Sequence, residues 1–453
     1  MKPVLIEARE LFAKKGPAAD TITEDDAALR FADEYKGRLL YCHDRGSWML
    51  WDGAIWHPEG TGLAFHWARE LARELSELND GKGRAVTGKT SFASGVEKFN
   101  RSDPLFARQA HQWDQDELLL GTPGGTLDLR AGRLCQADPE DGITKAVAVV
   151  PAETADCPLW LRFLWEATGG DEALIGFLRR WCGYCLTGLT DEHALVFVHG
   201  GGGNGKSVFL NTVTGILADY AATAAMDTFT ASKFDRHPTE LAMLRGARLV
   251  TASETEEGRP WAESRIKTIT GGDPITARFM RENNFTFRPQ FKLMIIGNHR
   301  PVLMNVDDAM RRRFNLVPFD NKPDRPDREL ETKLCAEWPA ILRWMVDGSV
   351  EWQETGLLKP PSVEAATAAY FSDQDLFGQW LEDECNVEPG NDHKWASSAE
   401  LRASWKAYAE KSGENPKDGK WFAATLQARG VASRRTPGAR GFAGVCLRTA
   451  MTP

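Results

Sequence analysis

Ala194-Leu195-Val196-Phe197-Val198-His199-Gly200-Gly201-Gly202-Gly203-Asn204-Gly205-Lys206-Ser207 is the stretch on which the reading of this chain turns. Its second half, Gly200 to Ser207, fits Gly-x-x-x-x-Gly-Lys-Ser in full. Its first half is a short apolar run of the kind that forms a buried parallel strand, and Val208 to Leu217 after it reads as a helix. Strand, glycine loop and helix in that order make a cradle for phosphate. Gly200, Gly201, Gly202, Gly203 and Gly205 let the backbone curl until successive N–H groups point inward. The helix N-terminus adds partial positive charge. Lys206 can reach the β- and γ-phosphates of a nucleotide, and the Ser207 hydroxyl can ligate Mg²⁺. A glycine-rich turn with a chance Lys-Ser is the plainer reading, and the flanking strand and helix weigh against it. A nucleoside triphosphate site is therefore expected.

What the nucleotide is used for depends on residues further along. Leu249-Val250-Thr251-Ala252-Ser253-Glu254 reads as an apolar strand ending in an acid, which can orient an attacking water or help hold Mg²⁺. Phe291 to Asn298 reads as a second such strand, ending in an amide that can hydrogen-bond a γ-phosphate or simply cap a turn. Arg311-Arg312-Arg313 leads into a last strand from Phe314 to Phe319. A cluster of arginines there can donate guanidinium charge to a neighbouring subunit's γ-phosphate, or form a solvated basic face. Four apolar strands separated by helices and loops predict a parallel sheet with helices on both faces.

Loop, acid, Asn and arginines, in this order, resemble a superfamily 3 helicase of the phage/plasmid and poxvirus-type primase–helicase family. Arg265 to Arg278 and Gly297-Asn298-His299-Arg300-Pro301 resemble further motifs of that family, and Gly124 to Leu129 and Cys157-Pro158-Leu159-Trp160 resemble its helicase-associated N-terminal domain. The resemblance implies an α/β fold: a P-loop NTPase (AAA+-like) parallel sheet core, a mixed α+β N-terminal region and a C-terminal winged-helix-like domain. It implies ATP and Mg²⁺, with Lys206 and Ser207 on phosphate and metal, and Glu254 as catalytic carboxylate beside the metal. It also implies Asn298 as γ-phosphate sensor and Arg313, or else Arg312, as arginine finger across a subunit interface. Single-stranded and fork DNA would be gripped by Lys267 and by a hairpin from Phe279 to Phe285, through Arg278 and Arg281, by charge rather than base identity. Arg434, Arg435 and Arg440 of the tail would add further contacts. The implied assembly is a homo-oligomeric ring of six moving 3′→5′, with a separate primase or origin-binding protein as a partner. Two positions depart from the family pattern: Ser253 stands before Glu254 where many members carry an acid, and Glu282-Asn283-Asn284 occupies the hairpin tip where Lys or His is common.

The 453 residues suffice for several domains, and an apolar fraction of 42% is ordinary for a globular core. The expected division is a small mixed domain over 1–90, in which Trp48 to Trp56 forms an Asp-Gly hairpin whose tryptophans fill a core. A helicase-associated domain over 91–190 is β-rich and then helical, with a break near Gly169-Gly170. The ATPase domain covers 191–325, a helical extension 326–370, and the winged-helix-like domain 371–453. No apolar run reaches the ~18 residues of a membrane span, and the N-terminus lacks a signal-peptide core, so a cytoplasmic protein without membrane contact is expected. Cys182 and Cys185, the only Cys-x-x-Cys, read as two buried helix cysteines rather than a zinc or redox pair. The net charge of −9 excludes a uniformly basic coat, yet Arg402 to Arg448 holds ten basic residues against Glu410, Glu414 and Asp418. Residues 1–90 are too short for a primase catalytic domain, so no primer synthesis is expected. Two other classes stay open: an ATP-regulated origin-binding initiator with little unwinding activity, and a small-molecule phosphotransferase.

Overall fold

The computed structural model describes residues 22–78, 84–231, 239–254, 260–279, 283–303, 307–323, 325–413, 415–436 and 438–448. The described residues begin with helix α1 (Glu24–Tyr35), strands β1 (Leu39–Cys42), β2 (Ser47–Trp51) and β3 (Trp56–Glu59), helices α2 (Leu63–Leu78) and α3 (Thr90–Arg101), and a two-residue strand β4 (Ala107–Arg108). The four strands form one sheet in the order β3-β2-β1-β4. β2 and β3 are the expected hairpin, with Trp51 opposite Trp56 and the Asp52 carboxylate accepting from the amides of Ala54 and Ile55 across the turn. Alternation along the strands sends Trp48 to the face covered by the helices and Met49 to the other, where Trp56 and Trp113 lie. Both Trp48 and Trp56 are core residues, as expected.

A three-stranded meander follows: β5 (Leu119–Thr122), β6 (Gly125–Asp128) and β7 (Arg133–Cys135). β5 turns into β6 through Pro123-Gly124. Helices α4 (Pro158–Thr168) and α5 (Glu172–Leu186) are separated by Gly169-Gly170, where the periodicity breaks. Cys182 and Cys185 are fully buried on α5, and burial pushes the Cys185 thiol up to about 12.

The central sheet consists of β8 (Leu195–His199), β9 (Ala221–Thr223), β10 (Leu249–Glu254), β13 (Lys292–Gly297) and β14 (Phe314–Pro318). Every pairing within it is parallel, in the order β14-β8-β13-β10-β9. Helix α6 (Lys206–Leu217) follows β8, and α7 (Glu263–Thr270) follows β10. The hairpin β11 (Ile275–Ala277) and β12 (Phe285–Phe287) precedes β13, and α8 (Asp308–Arg313) precedes β14. Beyond β14 come α9 (Trp338–Thr355) and α10 (Pro361–Gln374). The strands read as continuous apolar runs because both faces are covered. Val196, Val198, Met294 and Val317 pack with α4, α5, α6 and α9. Leu195, Phe197, Ile295 and Leu316 pack with α7, α8 and α10. Pro318 costs no ladder bond because β14 is an edge strand.

Two buried cations tie the upstream meander and α5 to the amino ends of the sheet. Arg248 donates to Leu186 O and, at 2.6 Å, to Leu119 O, with its guanidinium 4.5 Å from the Tyr220 ring centroid. Lys292 donates to Thr187 O and, at 3.2 Å, to Leu189 O and Gln290 O. Burial pushes the Lys292 ammonium down to about 7. An unfolded lysine keeps its proton to about pH 10.4, so between these values the unfolded chain holds more protons and stability rises with pH. Lys292→Met is expected to flatten that rise between about pH 7 and 9. The same change strips buried carbonyls of their donor, at about 1–3 kcal/mol for each acceptor left unpaired. Thermal unfolding of both proteins at the two pH values checks both effects.

The last segment comprises α11 (Leu376–Glu384), β15 (Cys385–Val387), β16 (Trp395–Ser397), α12 (Ser398–Lys411), α13 (Gly419–Ala428), β17 (Ala432–Arg435), β18 (Arg440–Ala443) and β19 (Val445–Leu447), around a core of its own. β16, β18 and β17 form an antiparallel sheet, and β15 pairs with β19. The apolar cores divide the chain differently from the expected boundaries. Phe106 belongs to the first core, residues from Leu120 to Leu186 share a core with α6, and α10 runs through position 370. Leu316 N donates to Thr367 Oγ1 at 3.0 Å, which fixes α10 beside β14. Among the described residues no helix is long and apolar enough to cross a membrane.

Candidate nucleotide site

The glycine loop leaves β8 at the carboxyl end of the sheet, where ligands of open parallel sheets bind. A Cβ at Gly200 would overlap Phe319 O, the carbonyl to which the buried Asn204 amide donates. Gly205 has φ +85° immediately before α6, and a Cβ there would lie 2.6 Å from Phe163 Cε2. Both positions therefore require glycine, one for close approach and one for handedness. Gly205→Ala is expected to lower nucleotide affinity by about 5- to 30-fold, since ~1–2 kcal/mol of left-handed strain falls on the loop itself. Titration with a fluorescent ATP analogue reads this directly.

The Lys206 side chain folds over the loop, donating to Gly200 O at 2.7 Å, Asn204 Oδ1 at 2.9 Å and Gly201 O at 3.4 Å. Burial holds its pKa below the ordinary lysine value, with Asp320 opposing the shift and Lys322 adding to it. Its ammonium thus waits beside exposed Gly201, Gly202, Gly203 and Ser207. A cavity of about 500 Å³ opens in front of this loop. Its far wall is α4, with Leu159, Arg162, Phe163 and Glu166, and Arg325 and Leu330 close it from the segment after β14. α4 is fixed there because the Glu337 carboxylate accepts from Leu159 N and Trp160 N at 3.0 and 2.9 Å, and Trp160 stacks on Phe209 of α6 with centroids 5.7 Å apart. The sequence alone gave no sign of this wall. It stands some forty residues upstream of the loop, and only packing brings it there.

Strand register aligns the other expected residues. Pro318, His199, Gly297 and Glu254 lie side by side across β14, β8, β13 and β10. Glu254 therefore ends its strand at the same level as the start of the loop. Asn298, one residue past β13, is exposed and lines the cavity. Arg312 and Arg313 are at the opposite end, since α8 enters the amino end of β14. A five-residue strand puts roughly 16 Å between the two ends. Arg313 is partly buried, with Nη1 donating to Ala309 O at 3.0 Å and its buried Nε unpaired. Arg312 is exposed, with Nε 3.3 Å from Asp308 O. Among the described residues neither forms a salt bridge.

The residues expected to meet DNA are scattered. Arg278 is exposed at the end of β11, and Arg281 lies outside the described residues. Lys267 is ion-paired with Asp307, the N-cap of α8. Arg434, Arg435 and Arg440 are exposed on β17 and β18, with Arg435 directly opposite Arg440. Arg434 reaches Asp392 at 3.7 Å.

The chain resembles known proteins in sequence and in fold. Residues 28–169 match the family described as D5 N terminal like, and residues 198–313 match DUF5906, a family of unknown function. These matches, with the viral relatives below, are consistent with the D5-like, phage- and poxvirus-type primase–helicase family. A protein of Acanthamoeba polyphaga mimivirus, provisionally named a helicase, is 27% identical over 70% of this chain and 35% of its own length. Another of frog virus 3, named in the same way, is 23% identical over 59% of this chain and 31% of its own. The chain thus spans about a third of the curated relatives it matches. Among solved structures, the apo C-terminal region of NrS-1 (305–718) has a similar fold, with a TM-score of 0.50 at 11% identity, covering 92% of this chain and all of that one.

Proposed function

We propose that this chain is an ATP-driven DNA helicase of superfamily 3, acting in the replication of phage, prophage or plasmid DNA as a hexameric ring moving 3′→5′ on single-stranded DNA. One observation carries the reading. The loop strand, the Asn298 strand and the Glu254 strand are neighbours with their ends level, while the arginines stand at the far end of the sheet. Numbered along the chain, the sheet order is 5-1-4-3-2, which supports a P-loop NTPase core of AAA+ type. A phosphotransferase has no use for guanidiniums so far from its own loop, whereas a ring sets them against the next subunit's γ-phosphate.

The roles follow from chemistry. Lys206 exchanges its loop carbonyls for the β- and γ-phosphates. Ser207, exposed on the first turn of α6, is the side chain suited to Mg²⁺, which would screen phosphate charge. Glu254 orients the attacking water for in-line displacement, and Asn298 holds the γ-phosphate in register with it. Arg313, or else Arg312, stabilises the transition state from the neighbouring subunit. Arg162 and Arg325 add positive charge at the mouth of the cavity.

The C-terminal helices and the β17–β18 hairpin fit a winged-helix-like module. Like charges facing each other at Arg435 and Arg440 suit a phosphate backbone better than solvent. An origin-binding initiator remains the second reading because this basic hairpin is exposed and could carry the function by itself. Unwinding of forks with a 3′ or a 5′ tail tests the proposal, and only the 3′-tailed fork should open. If deleting residues 376–453, which leaves α10 on the sheet, abolishes duplex binding and neither fork opens with the full chain, the initiator reading replaces it.

A further inference from the structure

The β11–β12 hairpin carries an aromatic pair that no core accounts for. The Phe279 and Phe285 rings stack with centroids 5.4 Å apart and planes 24° from parallel, and Phe287 tilts against Phe285 at 5.9 Å. Phe287 packs against the core under α7 and α10. Phe279 and Phe285 join none of the apolar cores formed by the described residues, and both rings remain partly exposed. From a separate segment the exposed Arg245 brings its guanidinium over the Phe285 ring, 5.3 Å from the centroid. Met243 beside it is 72% exposed.

Two rings stacked at the surface remove little apolar area from water, so their mutual contact explains little of why they are there. Half-exposed rings with a guanidinium alongside are instead the chemistry that accepts another flat π-system, and unpaired nucleobases supply one. Arg278, exposed at the end of β11, can take the adjoining phosphate. A duplex keeps its base faces inside the stack, so such a platform favours single strands without regard to sequence.

We infer that Phe279, Phe285 and Arg245 form a stacking platform for a base of single-stranded DNA, so that the hairpin grips unpaired bases as well as backbone charge. The inference rests on the DNA-translocating reading above. The test uses the full chain and two labelled oligonucleotides of equal length and phosphate count, oligo-dT and its abasic counterpart, with affinity read by fluorescence anisotropy. The wild type should bind oligo-dT about tenfold more tightly than the abasic strand, the scale of one stacked base. Phe285→Ala should bring oligo-dT down to the abasic level while abasic binding and DNA-free ATP hydrolysis stay unchanged. Phe285→Trp should keep the preference, and Arg245→Met should reduce it. Equal wild-type affinity for both strands, or a Phe285→Ala variant weakened alike on both, overturns the platform and leaves the helicase reading standing. Failure of the wild type to bind either strand overturns both.

Discussion

Lys206→Ala is expected to lower the rate of ATP hydrolysis by about a thousandfold, the scale of losing one preorganised charge at a developing anion. Among the described residues its ammonium donates to Gly200 O, Gly201 O and Asn204 Oδ1, all within the loop, so its removal breaks no hydrogen bond beyond the loop. Lys206 is buried, so thermal stability should fall by about 1–3 kcal/mol for each buried loop acceptor left unpaired. Steady-state hydrolysis beside an unfolding curve separates the two effects. A fall larger than that would mean that Lys206 acts by holding the loop rather than by meeting phosphate.

Arg313→Ala is the second large effect, about 10³–10⁵-fold in turnover by analogy with arginine fingers supplied in trans, while nucleotide affinity in the isolated subunit stays near wild type. Arg313 enters the amino end of β14 and the loop leaves the carboxyl end of β8, so one subunit cannot bring the two together. Mixing Lys206→Ala subunits with Arg313→Ala subunits should then restore hydrolysis, since an intact loop from one variant meets an intact arginine from the other. Two inactive proteins that stay inactive when mixed contradict the composite site. Arg312→Ala serves as the comparison, because its exposed guanidinium lies on the same helix end.

Local patterns made much of the sheet legible. Leu195–Val198, Arg248–Ala252, Phe291–Ile296 and Phe314–Phe319 are largely apolar on both faces, and each is a central or edge strand within a residue or two. β9 was not legible, because Ala221-Ala222-Thr223 is three small residues, too short and too weakly apolar to stand out. The Asp52-Gly53 and Pro123-Gly124 turns were legible because turn chemistry is local. Domain boundaries were not, because they depend on contacts such as Arg248 with Leu119, 129 residues apart. The same holds for the site. The Gly200–Ser207 loop could be read from its residues, and the strand ends at Glu254 and Asn298 from the apolar runs before them. The α4 wall and the pairing of Arg245 with Phe285 arise only where distant segments pack together.

The central claim is that hydrolysis at this loop drives movement on single-stranded DNA. Its most direct test is the ATPase rate of the full chain with and without single-stranded DNA. The rate should rise severalfold on adding DNA, and no such rise should occur in Lys206→Ala. A rate indifferent to DNA at saturating nucleotide would contradict it.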